Sequence, residues 1–137
     1  MTRAELLSDF LREVWSQGDA EACDRHLAPR YAILHDPGDP WDGQVLDVEG
    51  FKARVRLSRA ACPDQVFHIQ ALVEQEDRVA VTWLWTATHQ GEIGGFPGTG
   101  KPLSMSGITL YGFEGDRICS HWQAVDRLGL YRQLAGG

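Results

Sequence analysis

Five histidines, three cysteines and a scatter of carboxylates are the side chains of this 137-residue chain that could move protons, attack carbon or hold a metal. His26, His35, His68, His89 and His121 show neither HxxxH nor HExxH spacing, which would set two imidazoles on one helix face around a cation. Cys23, Cys62 and Cys119 form no CxxC pair, so neither a cysteine zinc site nor a disulfide framework is readable. No serine sits in GxSxG, the strained turn that exposes a hydrolase nucleophile. Gly95-Phe-Pro-Gly-Thr-Gly100-Lys101 matches the first seven positions of the phosphate loop GxxxxGK[ST]. Pro102 then stands where a hydroxyl would reach magnesium, and the following LSMSGITLYGF alternates like a strand, so the segment reads as a hairpin loop. No metal and no cofactor is expected. What remains is proton transfer by side chains, for which histidine has a pKa near neutrality.

Those side chains must be positioned by the elements around them. Leu6, Leu7, Phe10, Leu11, Val14 and Trp15 recur at helical spacing behind a Thr2/Glu5 capping box, and Gly18 ends the helix. Asp19 can cap a short second helix through Ala22, Cys23, His26 and Leu27, stopped by Pro29. Tyr31 to His35 reads as a strand, Asp36 to Gly43 (DPGDPWDG) as a run of turns, and residues 49–61 as a third helix. The period then changes to two: Val66–Gln75, Arg78–Gln90, Leu103–Glu114 and Arg117–Val125 read as strands, with turns at Glu76-Asp77 and Gly115-Asp116. Connections this short pair strands antiparallel. Asp126 to Leu134 can form a last helix.

Helices followed by long hairpin strands predict an α+β domain spanning residues 1–137, with helices packed against one face of a bent antiparallel sheet. Such strands must twist and curl, so the covered face becomes a cup. Val79, Val81, Trp83, Trp85, Ala87 and His89 share the face expected to line it, followed on the next strand by Leu103, Met105, Gly107, Thr109 and Tyr111. The last strand presents either Cys119, His121, Gln123 and Val125 or Ile118, Ser120, Trp122 and Ala124; alternation leaves both open.

Composition narrows the partners. Hydrophobic residues make up 43% and charged residues 23%, enough for a packed core. Nineteen acidic against thirteen basic side chains give a net charge of -6, the wrong sign for gripping nucleic-acid phosphates. With Lys52 and Lys101 the only lysines, no polybasic membrane patch exists either. The N-terminal MTRAELLSDFLREVW carries a charge every few residues, unlike a signal-peptide core, and no apolar run approaches the roughly 20 residues of a membrane helix. The expected compartment is the cytoplasm.

Three segments, EVWSQGDAEACDRHLAPRYAILHDPG, VAVTWLWTATHQGEIGGFPGTGK and GDRICSHWQAVDRLGLYRQL, together resemble the SnoaL-like polyketide cyclases. The markers are the Gly18-Asp19 turn, Thr88-His89-x-Gly91, the Gly-x-Pro-x-x-Gly-Lys loop and the closing Gln133-Leu134. The resemblance implies the nuclear transport factor 2-like fold: a cone-shaped α+β barrel whose curved sheet wraps around helices and a deep apolar cavity. It also implies ring closure without metal or organic cofactor, a small apolar carbonyl-bearing metabolite as ligand, and a homodimer through the outer sheet face. In those cyclases an aspartate of the last strand is the acid/base; aligning on His121 and Gln133-Leu134 puts Gln123 there. Glutamine hydrogen-bonds but does not titrate. The family's edge histidine matches His89, and its other strand histidine falls near Thr109.

His121 is therefore the expected base, with Asp126 beside it either holding the imidazole, acting itself, or capping the last helix. Gln123 and Thr109 are expected to bind the developing oxyanion, and His89 to bind or relay at the cavity edge. Trp15, Trp41 and Trp83 are the expected aromatic ligand contacts, Trp41 as a loop residue at the mouth. His35-Asp36 reads either as a pair facing the mouth or as the opening of a turn. A protein that holds the same ligand without turning it over remains the alternative.

Overall fold

The structure, a computed structural model, describes residues 1–136. Helix α1 (Arg3–Phe10) starts where the pattern places it: the Thr2 hydroxyl accepts from Glu5 N–H while the Glu5 carboxylate accepts from Thr2 N–H. Such a cap contributes about 1 kcal/mol. The helix continues as a wider π turn over Leu11–Ser16, which turns Leu11, Val14 and Trp15 into the interior. A 3-10 turn (Ala20–Ala22) leads into the single-turn α2 (Cys23–His26). Strand β1 (Leu27–His35) begins at Leu27, earlier than the pattern suggests. Pro29 sits inside it, where the pairing of β1 with β6 is interrupted between Leu27 and Ala32, so its missing N–H breaks no regular ladder. After β2 (Val45–Leu46), the Asp47 carboxylate caps α3 (Val48–Arg59) by accepting from Gly50 N–H.

Strands β3 (Val66–Gln75), β4 (Arg78–Thr88), β5 (Pro102–Glu114) and β6 (Arg117–Val125) form the antiparallel run the alternation predicts, and α4 (Arg127–Leu134) closes the chain. The sheet order is β2-β1-β6-β5-β4-β3, with β1 lying parallel to β6. A parallel pair needs a long connection, and here α3 and four strands separate the two in sequence. The sheet is curved and unclosed, a cone-shaped α+β fold of the nuclear transport factor 2-like type. Leu7, Phe10, Val14, Phe51 and Val55 of the helices are buried against Tyr31, Ile33, Val79, Val81 and Phe113 of its inner face. Each such side chain contributes about 1.5–3 kcal/mol when withdrawn from water.

Two irregularities decide which side chains enter the cone. On β6, Gly112 pairs with Ser120 but Phe113 pairs with Ile118, so Cys119 is an extra residue and the alternation changes phase there. Ile118 and His121 consequently both point inward, and neither of the two alternating sets holds over the whole strand. On β1, Ile33 pairs with His121 while His35 pairs with Trp122, two steps against one. The shift sends His35 to the outer surface, where it stacks on Trp122 with ring centroids 4.3 Å apart, and turns Asp36 into the interior.

Candidate functional site

Inside the cone lies a cavity of about 570 Å³, a size usual for small-molecule sites. Leu11, Trp15, Phe67, Trp83, Trp85 and Met105 form its apolar wall. The tryptophans line the space without filling it, because each indole N–H on the sheet is tied back to the wall. Trp83 donates to Thr109 Oγ1 at 2.9 Å and Trp85 to Gln65 Oε1 at 3.0 Å. Gly107 makes room for the first of these: a Cβ there would stand 2.3 Å from the Trp83 ring. Trp41, from the turn segment after β1, borders the mouth together with Asp39 and with Glu92 and Ile93 of the β4–β5 loop.

At the polar end, a run of hydrogen bonds converges on Asp36, which is 1% exposed. An indole N–H can only donate, so Thr109 passes its own proton on to Gln123 Oε1 at 2.9 Å, and Gln123 Nε2 donates to Asp36 Oδ2 at 2.9 Å. From the other side His121 Nε2 lies 2.9 Å from the same oxygen, and His121 Nδ1 lies 2.6 Å from the Tyr31 hydroxyl. Arg127 donates to Asp36 Oδ1 at 2.9 Å, and Arg54 reaches Asp36 Oδ2 at 3.4 Å and Asp39 Oδ2 at 3.1 Å.

The electrostatics fix the direction of the bonds. Burial pushes the Asp36 carboxyl up, but the hydrogen bonds from His121 and Gln123 and the charge of Arg127 outweigh it, and the group ends below its ordinary value. Burial lowers the pKa of His121, despite the opposing pull of Asp36. An ionised Asp36 beside a neutral imidazole requires the proton on Nε2. Nδ1 is then an acceptor, and the Tyr31 O–H donates to it. The order is Tyr31 O–H, His121, Asp36 carboxylate, the arrangement by which a base is itself held by a third group. Burial drives the Tyr31 phenol well above its usual pKa, so it stays protonated at rest.

The expected residues are thus partly gathered here. His121, Gln123, Trp15, Trp41 and Trp83 line the cavity, and Thr109 stands fully buried behind Gln123. Three others lie elsewhere. Asp126 caps α4, its Oδ1 accepting from Gly129 N–H at 2.9 Å, and the carboxylate that holds His121 is Asp36. His89 is buried behind the mouth, its ring bonded to Phe96 O and Thr99 Oγ1, so it pins the β4–β5 loop and touches no cavity space. His35 faces outward, as described above. Tyr31, Arg54 and Arg127 were not expected, and Tyr111 was expected only as part of the lining. Tyr31 and Asp36 flank a flagged histidine in YAILHD, but the bulge that makes them, and not His35, the inward pair leaves no mark on the sequence.

The SnoaL-like polyketide cyclase family model matches residues 5–134. A candidate polyketide cyclase from Acidithiobacillus ferrooxidans is 57% identical, with 98% of this chain and 96% of that one covered and a TM-score of 0.95. IdmH, a candidate polyketide cyclase from Streptomyces antibioticus, is 28% identical over 98% and 99% of the chains at a TM-score of 0.84. AclR, a candidate hydroxylase from Streptomyces galilaeus, matches at 22% identity over 98% and 82% with a TM-score of 0.82, a likeness of fold alone. No curated protein matches the chain.

Proposed function

Because this chain belongs to the SnoaL-like polyketide cyclase family, we propose that it binds a small, largely apolar, carbonyl-bearing metabolite in the cone and moves a proton beside that carbonyl. The observation that carries this reading is the Tyr31–His121–Asp36 chain at the end of an apolar cavity. In the proposed step the substrate C–H proton goes to the Tyr31 oxygen as the Tyr31 proton goes to His121 Nδ1. The C–H electron pair moves to the carbonyl oxygen as an enolate, and the imidazolium is stabilised by Asp36. Cyclisation, isomerisation and dehydration can each follow from such an enolate, and the fold does not choose among them. Gln123, at the position of the family's aspartate, orients Asp36 and does not titrate. That position favours a second reading, a protein that holds the ligand without turning it over.

Proton exchange separates the two. In D2O, 2-tetralone added to the protein is expected to exchange its α-protons at least about tenfold faster than buffer alone, read by proton NMR. His121→Ala should abolish the excess. Quenching of tryptophan fluorescence by 2-tetralone without faster exchange would leave the binding reading, and absence of both would remove the cavity as a ligand site.

A second copy of this chain is proposed as the partner of the outer sheet face. Leu84, Ile108, Leu110 and Trp122 are exposed there, and the outward positions of β4, β5 and β6 between them (Ala80, Thr82, Ser104, Ser106, Ala124) carry no charge. A patch without charge meets its own copy without like-charge repulsion, as a two-fold interface requires. Sedimentation velocity is expected to give a dimer that Ile108→Arg converts to monomer; a wild-type monomer at tens of micromolar would rule the interface out.

A further inference from the structure

Building on that reading, we infer that Arg54 and Tyr111 form a second, electrophilic half of the site, which binds an anionic oxygen, the enolate or phenolate oxygen of the ligand. The inference starts from hydrogen bonds that are missing. Arg54, on α3, has a side chain 6% exposed and lines the cavity. Only one of its terminal nitrogens is paired, with Asp36 and Asp39. Its Nε is buried and has no partner among the described residues. That nitrogen is enclosed on all sides; the terminal nitrogen left unpaired, on a side chain that lines the cavity, is the donor that a further group can complete. The guanidinium carbon lies among aromatic rings, 5.2 Å from the Trp15, 5.4 Å from the Phe51 and 5.8 Å from the Trp41 ring centre. These rings and the two carboxylates hold it in place before a ligand arrives.

Tyr111 supplies the second donor. It stands opposite His121 in the β5–β6 register, with ring centroids 6.2 Å apart, and it lines the cavity. The Tyr31 O–H is engaged by His121, whereas none of the hydrogen bonds among the described residues engages the Tyr111 hydroxyl. Burial raises its pKa and the Arg54 charge draws it back, which places the two groups within each other's field. Base and donors therefore sit on one cavity: a proton leaves toward Tyr31 while the oxygen that gains charge meets Arg54 and Tyr111. Donors fixed before the reaction stabilise charge without reorganising. The charges agree. Asp36 and Asp39 already balance Arg54 and Arg127 with His121 neutral, so the site favours an oxygen that gains its charge as a proton passes to the relay, over a ligand bearing a permanent carboxylate.

The test uses 4-nitrophenol, whose phenolate absorbs at longer wavelength than the phenol and whose ionisation falls near neutrality. Bound to the wild-type protein it is expected to ionise at lower pH than in water, the phenolate binding at least about tenfold tighter than the phenol. Tyr111→Phe removes one donor and should reduce that preference by about tenfold. Arg54→Lys keeps the charge but loses the planar fork, and should reduce it as well, with circular dichroism confirming the fold. Binding with ionisation unshifted, or a shift indifferent to Tyr111→Phe, overturns the donor pair and leaves the proton relay standing. No binding at all removes the ligand cavity and the donor pair together.

Discussion

Replacing Asp36 by alanine is expected to destabilise the protein by about 3–5 kcal/mol, because it removes the one group that four donors share. His121, Gln123, Arg127 and Arg54 all reach this carboxylate, and it is 1% exposed, so water does not replace it. The buried Arg54 would keep only Asp39, and Arg127 would lose its carboxylate partner. Urea denaturation followed by tryptophan fluorescence measures the loss. Asp36→Asn keeps the shape and is the variant for function. An amide can offer its N–H side to His121 and so favour the wrong tautomer, and the exchange rate should fall by about 10²–10⁴-fold. An Asp36→Asn protein exchanging at the wild-type rate would remove Asp36 from the relay.

The same groups set the acid limit of the fold. The folded pKa of His121 lies below its usual 6.5 and that of Asp36 below its usual 3.8. In both cases the unfolded chain binds the proton more readily, so stability rises with pH across each window. Stability is therefore complete above about 6.5, declines as pH falls from there toward the folded His121 value, and declines again below about 3.8 toward the folded Asp36 value. Denaturation midpoints measured from pH 8 to 3 should show both declines, and the lower one should be shallower in the Asp36→Ala protein, where Glu5, Glu13 and Asp64 still contribute to it.

Tyr31→Phe carries the second large effect, and it falls on function more than on folding. The hydroxyl is the only part removed, and it is the atom bonded to His121 Nδ1 that takes the substrate proton in the proposed step. Leaving Nδ1 without a donor should cost about 1–3 kcal/mol of stability, since the ring keeps its 4.7 Å contact with Phe51. Exchange of 2-tetralone protons should fall by about 10²–10⁴-fold while fluorescence quenching by the same ketone changes little, because the apolar wall that binds it is untouched. Full activity in Tyr31→Phe would mean that His121 takes the proton directly.

Most elements were legible in the residues. The Thr2/Glu5 capping box, the Glu76-Asp77 and Gly115-Asp116 turns and the four long strands stand where the pattern puts them, because caps, turns and alternation depend on near neighbours. Alternation placed Trp83 in the cup, and the resemblance carried the cone and aligned Gln123 beside His121. The carboxylate was misplaced: Asp126 is five residues from His121 in the chain and caps a helix, whereas Asp36 is 85 residues away and touches it.

By itself, then, the sequence determined a curved sheet over helices, an apolar interior, and a histidine on the last strand that a cup could enclose. Only the tertiary structure decided that Tyr31 and Asp36 meet that histidine, that His35 leaves the interior, and that Arg54 and Tyr111 keep donors unpaired. The reason is physical. The first two of these outcomes rest on a bulge or on the parallel docking of β1 against β6, and a one-residue slip reverses every side chain beyond it. Periodicity records which faces a strand has; the slip, set by packing across the sheet, decides which face looks inward.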